Sequence, residues 1–457
     1  MRHAFPVIHA AFLATLLVAV PARANEIETQ MAQCSDRAAD PDSIIDACGW
    51  LFDSGRLPRY AVARSYASRG IAYVRQEKYE LALDDLGRAL ARNSGIAEAL
   101  IHRGIAYSHT GRNVLALNDF NKAIGLTPRD ARAFLGRANA HAGKDDTERA
   151  LTDFEKAIKL KPDYAEAFFD RGNLQAKEKE RDLAIADYTQ AITLDPAYKD
   201  AWMQRANVHA TGEDHEKAIA DYDKVLELDP ESVDATFGRG VAYGELDQMD
   251  LALADLNRVL ELDPTYVQAY FGRGYAYLQK NLYEKAIADY DEVIARSPYV
   301  ADAWHARGTA YVESSQFDLA LSDLKRALEL KPDDAEIHYE HGRALAGTEE
   351  TDKAVKAFSR AISLDPEHAN ALAARGIAYL EQDETDAAKS DFDAAKPLLD
   401  KAIEEDPDDA ATYATRGRVQ QKRGDTTAAL ADFQTAHDKG DRSEPVITAL
   451  KAAGKIE

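Results

Sequence analysis

Arginine recurs every 34 residues along this chain, at Arg69, Arg103, Arg137, Arg171, Arg205, Arg239, Arg273 and Arg307. Arg375 and Arg416 continue the series after one omission and one longer step. An aspartate follows each arginine 16 residues later, from Asp85 to Asp432. A row of guanidinium groups is suited to an anionic ligand, which it grips through paired donors. A carboxylate beside every one of them points instead to ion pairs. At the one omitted place both partners are gone, replaced by His341 and Ala357. Joint loss argues that the two belong to one pair, so Arg239–Asp255 and Arg273–Asp289 are expected as structural ion pairs within one repeating unit. If such a pair is partly buried, breaking one partner costs more than the pair's net worth.

Other chemistry is sparse. His338 and His341 stand three apart, a spacing that suits a shared metal on one helix face; a variant core pair is the plainer reading. No GxSxG, HExxH, phosphate-binding loop or dinucleotide fingerprint is present, so the sequence names no catalytic residue and no cofactor. The two cysteines, Cys34 and Cys48, lack the CxxC spacing of a redox or zinc site. Asp40-Pro41 between them reads as an N-cap followed by proline at the first helical position. Cys34 and Cys48 then face each other across a helix hairpin and are expected to form a disulfide, stabilising by about 3 kcal/mol.

The elements that position these groups come from one pattern. AIADYTQAITLDP (184–196), AIADYDKVLELDP (218–230), ALADLNRVLELDP (252–264) and AIADYDEVIARSP (286–298) are one helix end repeated at the 34-residue step. Eleven copies begin at residues 63, 97, 131, 165, 199, 233, 267, 301, 335, 369 and 410. Position 8 of a copy is always Gly or Ala, position 20 is Ala, position 24 is aromatic or Leu, and position 32 is usually Pro. Small residues let two helices approach closely, a bulky residue four places on fills the space beside them, and proline ends the second helix. One helix pair cannot bury its apolar face alone, so neighbours must stack.

This pattern over residues 63–443 resembles the tetratricopeptide repeat family. The resemblance implies an all-α, right-handed superhelical solenoid of antiparallel helix pairs, with first helices lining a concave groove. It also implies a non-enzymatic scaffold that holds a segment of another protein. Groove positions by that resemblance include position 5, which gives Phe169, Met203, Phe237, Phe271, His305 and Tyr339, and position 9, which gives Asn139, Asn173 and Asn207. Aromatic side chains offer apolar contact at low entropy cost, and amides offer a donor and an acceptor to an extended backbone. The alternative is that they only pack adjacent helices. The family's clamp for a terminal carboxylate needs Lys at position 5 beside Asn at position 9, and Leu135, Phe169 and Met203 stand there instead.

The ends depart from the pattern. Residues 1–24 carry a basic start, the apolar run AFLATLLVAV (11–20) and Ala22-Arg23-Ala24, a cleavable export signal; its apolar run is short for a bilayer span. The expected location is the periplasm, or alternatively secretion, with no stable membrane insertion after cleavage. Residues 25–62 are expected to form an N-terminal capping hairpin and 444–457 a C-terminal capping helix. Copy ten is seven residues longer, which adds about 10 Å of helix with its faces in phase and brings Pro397 inside it as a source of a kink. The net charge of −23 disfavours nucleic acid as a partner. The leading expectation is a protein-binding envelope scaffold. A self-associating structural module is the alternative, and an enzyme or metal protein the least favoured.

Overall fold

Proline at position 32 follows the end of most second helices. The residue before a proline is driven out of the helical region, and Thr127, Lys161, Asp195, Asp263 and Asp365 accordingly take ψ between 75° and 97°. The helices therefore stop one residue earlier, at Leu126, Leu160, Leu194, Leu262 and Leu364. The turn between the two helices of a repeat is made at position 15. There Lys179, Glu213, Asp247, Asn281 and their counterparts adopt positive φ, with Gly111 and Gly424 in repeats two and eleven. The next amide then donates back into the helix end, Glu180 N to Gln175 O at 2.9 Å, which closes a Schellman-type cap.

The computed structural model describes residues 26–456, and all of their regular structure is helical. The expected signal over 1–24 lies outside the described residues. The described chain divides after Leu228 into two compact units. The first holds residues 26–35 as a helix, then Pro41–Asp53, then repeats one to five; the second holds repeats six to eleven and a final helix, Glu444–Ala452. Within each unit, a first helix packs against its own second helix and against the first helix of the next repeat.

The packing follows the small and large positions. In the first unit Phe120, Phe154 and Tyr188 are almost fully buried, as are Leu256, Tyr290, Leu324 and Phe433 in the second. Burying such a side chain contributes roughly 1.5–3 kcal/mol. Position 8 is small because the helices approach closely: a Cβ on Gly172 would stand 2.8 Å from Tyr188 Cε1, and one on Gly274 would stand 2.8 Å from Tyr290 Cε1.

The first unit begins with the hairpin, in which Cys34 and Cys48 are joined by a disulfide with Cα atoms 5.0 Å apart. Asp40 accepts from the Ser43 amide at 2.9 Å and caps the helix that Pro41 begins. The cysteines, Ile44 and Leu51 pack on Ala72 of repeat one. The first helix of that repeat starts at Arg59, earlier than the 63 of the repeat register, because Pro58 supplies its start. The second unit ends with Val446 and Leu450 buried against Phe433 and Ala436. Its last helix stops at Ala452, short of the expected 457, where Gly454 turns at φ 65°. The long helix of repeat ten runs from Thr385 through Pro397 to Glu405, 21 residues against the usual 14. Among the described residues no helix is long and apolar enough to cross a membrane.

Candidate interaction face

The arginines at position 7 leave the first helix toward the second helix of the same repeat. Each meets its aspartate with two parallel bonds: Arg239 Nε and Nη2 lie 2.8 and 2.7 Å from the oxygens of Asp255, and Arg273 lies 2.8 and 2.6 Å from those of Asp289. The same geometry holds in all ten repeats that carry both residues. The carboxylates are buried, so the guanidinium row is committed inside the repeats and is no anion ladder. Several arginines donate a further bond to an acceptor on the preceding repeat. Arg137 Nη1 reaches Asn121 at 2.7 Å, Arg273 Nη1 reaches Asn257 at 2.7 Å, and Arg375 Nη1 reaches Ser359 at 3.0 Å.

This third bond explains how the longer repeat ten is tolerated. Arg416 of repeat eleven docks on Asp400 at 2.9 Å, two helical turns beyond Asp393, which occupies the usual position. The added residues thus move the docking point along one helix without rotating it. Asp393 is taken up by Arg423 at 2.7 Å.

The expected groove residues divide into two sets. Those at position 5 are half-buried and engaged in packing. Phe169 lies 4.9 Å from the Tyr198 ring, Phe237 5.0 Å from Tyr266, Phe271 5.7 Å from Tyr290, and Tyr339 4.9 Å from His368. Met203 and His305 are half-buried as well, and burial pushes the His305 pKa down. These ring contacts pack adjacent helices together, and Tyr339 in addition lines a pocket. Those at position 9 are exposed: Asn139, Asn173 and Asn207 in the first unit, Val241 and Tyr275 in the second. Asn173 and Asn207 each accept a bond from a tyrosine hydroxyl of the second helix, Tyr188 at 2.9 Å and Tyr222 at 2.8 Å. That bond engages the amide oxygen of an exposed side chain and orients the amide. Asn139 donates instead to Asp170 of repeat four at 2.7 Å.

His338 takes a position where other repeats place Trp or Tyr. Trp202, Trp304 and Tyr270 bond the carbonyl of a proline six residues earlier, and His338 does the same with Pro332 O at 3.0 Å. It is a substituted tether. His341 is half-buried, and burial pushes its pKa down.

Sequence reasoning missed the charges of repeat nine. Glu340 is buried and accepts from Arg343 Nη1 at 3.0 Å, while Arg343 Nη2 reaches Glu313 of repeat eight at 2.8 Å. A pocket of about 200 Å³ opens beside them, over the first helix of repeat ten. The signal was in the sequence: arginine stands at position 9 only in repeats nine and eleven, as Arg343 and Arg418.

Models described as tetratricopeptide repeats match residues 68–131 and 169–233, 206–271, 144–179 and 256–288. The middle TPR-like domain of cilia and flagella-associated protein 70 matches residues 309–454. No curated protein matches the sequence. Among solved structures, a tetratricopeptide repeat protein from Parabacteroides merdae is 18% identical with a TM-score of 0.45, over 55% of this chain and 97% of that one. YrrB, described as having an unusual peptide-binding site, is 27% identical with a TM-score of 0.37, over 43% and 97%. MamA is 27% identical with a TM-score of 0.34, over 37% and 93%.

Proposed function

Because the chain is a tetratricopeptide-repeat protein, we propose that it is a non-catalytic scaffold of the cell envelope that holds a segment of another protein along its first helices. The observation that carries this reading is the exposed series at position 9. Its side chains recur at one place on successive first helices, and Asn173 and Asn207 are held in one orientation by tyrosine hydroxyls. Amides so held can serve the backbone of an extended segment without a large ordering cost. In the second unit Val241 and Tyr275 offer apolar contact at the same position. Tetratricopeptide repeats are generally scaffolds, and the sequence carries no catalytic motif. Placement in the periplasm, with secretion as the alternative, is supported by the signal pattern of residues 1–24 and by the disulfide, which suits an oxidising compartment.

Self-association is favoured by a different observation. Leu81, Leu115 and Leu183 in the first unit, and Leu251 and Leu319 in the second, are exposed at position 19 of their repeats, on the second helices.

The test is crosslinked capture from the cell envelope of the source organism, with the protein compared with an Asn173→Ala, Asn207→Ala, Tyr275→Ala variant. A partner retained by the protein and lost by the folded variant is the expected result. Partners unchanged by the variant overturn the position-9 face. Mass that rises with concentration in sedimentation, and falls after Leu183→Lys, favours self-association.

A further inference from the structure

The pocket of repeats nine to eleven has a hollow floor because position 5, which is large from Ile101 in repeat two to Tyr339 in repeat nine, falls to alanine in repeat ten, with a second alanine beside it. Positions 5 and 6 carry Phe169 and Asp170 in repeat four, and Tyr339 and Glu340 in repeat nine, but Ala373 and Ala374 in repeat ten. Around that floor stand Tyr339 and Arg343 on one side and Thr415 and Arg418 on the other, with Asn370 and Glu381 toward the two ends of the helix Ala369–Glu381. Asn370 and Glu381 are separated by roughly 16 Å along the helix axis. The shape suits an extended segment laid along this helix.

The two arginines differ in their partners. Arg343 spends its donors on Glu340 and Glu313. Arg418 is half-buried, bonds only the Thr415 hydroxyl at 3.2 Å, and among the described residues has no carboxylate within ion-pair reach. A guanidinium has five N–H donors, and desolvating it without a counter-charge is unfavourable. Glu381, which accepts from Thr351 Oγ1 at 3.3 Å, is the other charged group lining the hollow.

We propose that Arg418 receives the side-chain carboxylate of an aspartate or glutamate carried by an extended segment of a partner protein, seated over Ala374 between Tyr339 and Thr415. This rests on the first-helix reading of the scaffold and names the chemistry of one subsite. Glu381 narrows the choice, because a second acid at that end of the segment would be repelled.

The experiment is selection from a random peptide library whose C-terminus is fused to its carrier, so that only side chains supply carboxylates. The full mature chain is compared with its Arg418→Gln variant, folding being checked by circular dichroism. Enrichment of one acidic position by the unaltered chain is expected. Synthetic peptides blocked at both termini should then lose at least tenfold in affinity on Glu→Gln replacement, and the same replacement should matter little to Arg418→Gln. Asn370→Asp, an exposed change that leaves the fold alone, should weaken the same peptides by repulsion. Peptides enriched without an acidic position, and bound equally by Arg418→Gln, overturn the subsite and leave the scaffold reading standing. If the unaltered chain retains no peptide, the first-helix reading falls with the subsite.

Discussion

Repeat nine and the ten other repeats meet the same structural demand in different ways. In the ten, a bidentate Arg–Asp pair joins the two helices of a repeat, from half-buried position 7 to buried position 23. In repeat nine those positions hold His341 and Ala357, and the helices still pack, with Phe358 almost fully buried against Gly342. Charge has moved to positions 6 and 9, where Glu340 and Arg343 pair on one helix and Arg343 ties to Glu313 of the preceding repeat. A helix pair of this kind therefore closes without a buried ion pair. What the Arg–Asp pair adds is a bidentate link between the two helices. In repeat nine the equivalent charges serve the face where first helices meet.

The largest effect that would break this comparison lies in a single ordinary repeat. Asp255→Ala leaves Arg239 half-buried without its bidentate partner, and the cost should be roughly 3–5 kcal/mol. Adding Arg239→His should recover much of it, because the double variant reproduces the arrangement at His341 and Ala357. Urea unfolding of the four proteins in the cycle measures this. A coupling near zero would mean that the pairs are incidental, and the distinction drawn for repeat nine would go with them.

A smaller effect sharpens the other side. Arg343→Met leaves Glu340 buried with no counter-charge, and should cost roughly 2–3 kcal/mol at neutral pH. Burial already pushes the Glu340 pKa up, against the pull of Arg343. Removing the arginine raises it further. A carboxyl whose folded pKa is raised contributes stability below its unfolded pKa, and loses that contribution as pH rises through the folded one. The deficit of Arg343→Met should therefore shrink as the pH is lowered toward 4. Thermal melts of both proteins across that range check it; a deficit independent of pH would show that Arg343 acts by packing alone.

The Arg–Asp pairing was legible because the period aligns ten examples and one joint exception. The separation of position 5 from position 9 was not. Both lie on the first helix, and only the rings contributed by later residues, such as Tyr198 beside Phe169 and Tyr266 beside Phe237, bury one of them. The pocket was harder still, since it is made by what Ala373 lacks beside the larger position-5 residues of repeats two to nine. The division after Leu228 falls inside an unbroken 34-residue register, so no change of pattern marks it. Sequence spacing does not report desolvation, so nothing in the pattern separates the position-6 acids Asp170 and Glu340 from surface charge.

Those acids give the smallest and most selective test. Asp170 occupies in repeat four the position that Glu340 occupies in repeat nine, but among the described residues no arginine pairs with it; its bond is to the Asn139 amide. Burial pushes its pKa up to about 6, outweighing the Asn139 bond, and the charge of Glu166 adds to the rise. Protonated Asp170 is therefore the form that the fold prefers. Its contribution is complete below about pH 4, the unfolded value, and is lost as pH rises through 6. Asp170→Asn keeps an acceptor for Asn139 and removes the ionisation. It should match the unaltered protein at pH 4 and exceed it above pH 7 by roughly 1 kcal/mol, or about 2–4 °C in Tm. His102 works in the opposite sense. Burial, aided by Arg132 and Arg37, lowers its pKa to about 4, so its contribution is present above the unfolded value of 6.5 and fades as pH falls through 4. That effect is common to both proteins and cancels in their difference. A Tm difference that stays flat from pH 4 to 8 would place Asp170 among solvated charges, and would confine the buried position-6 acid to repeat nine.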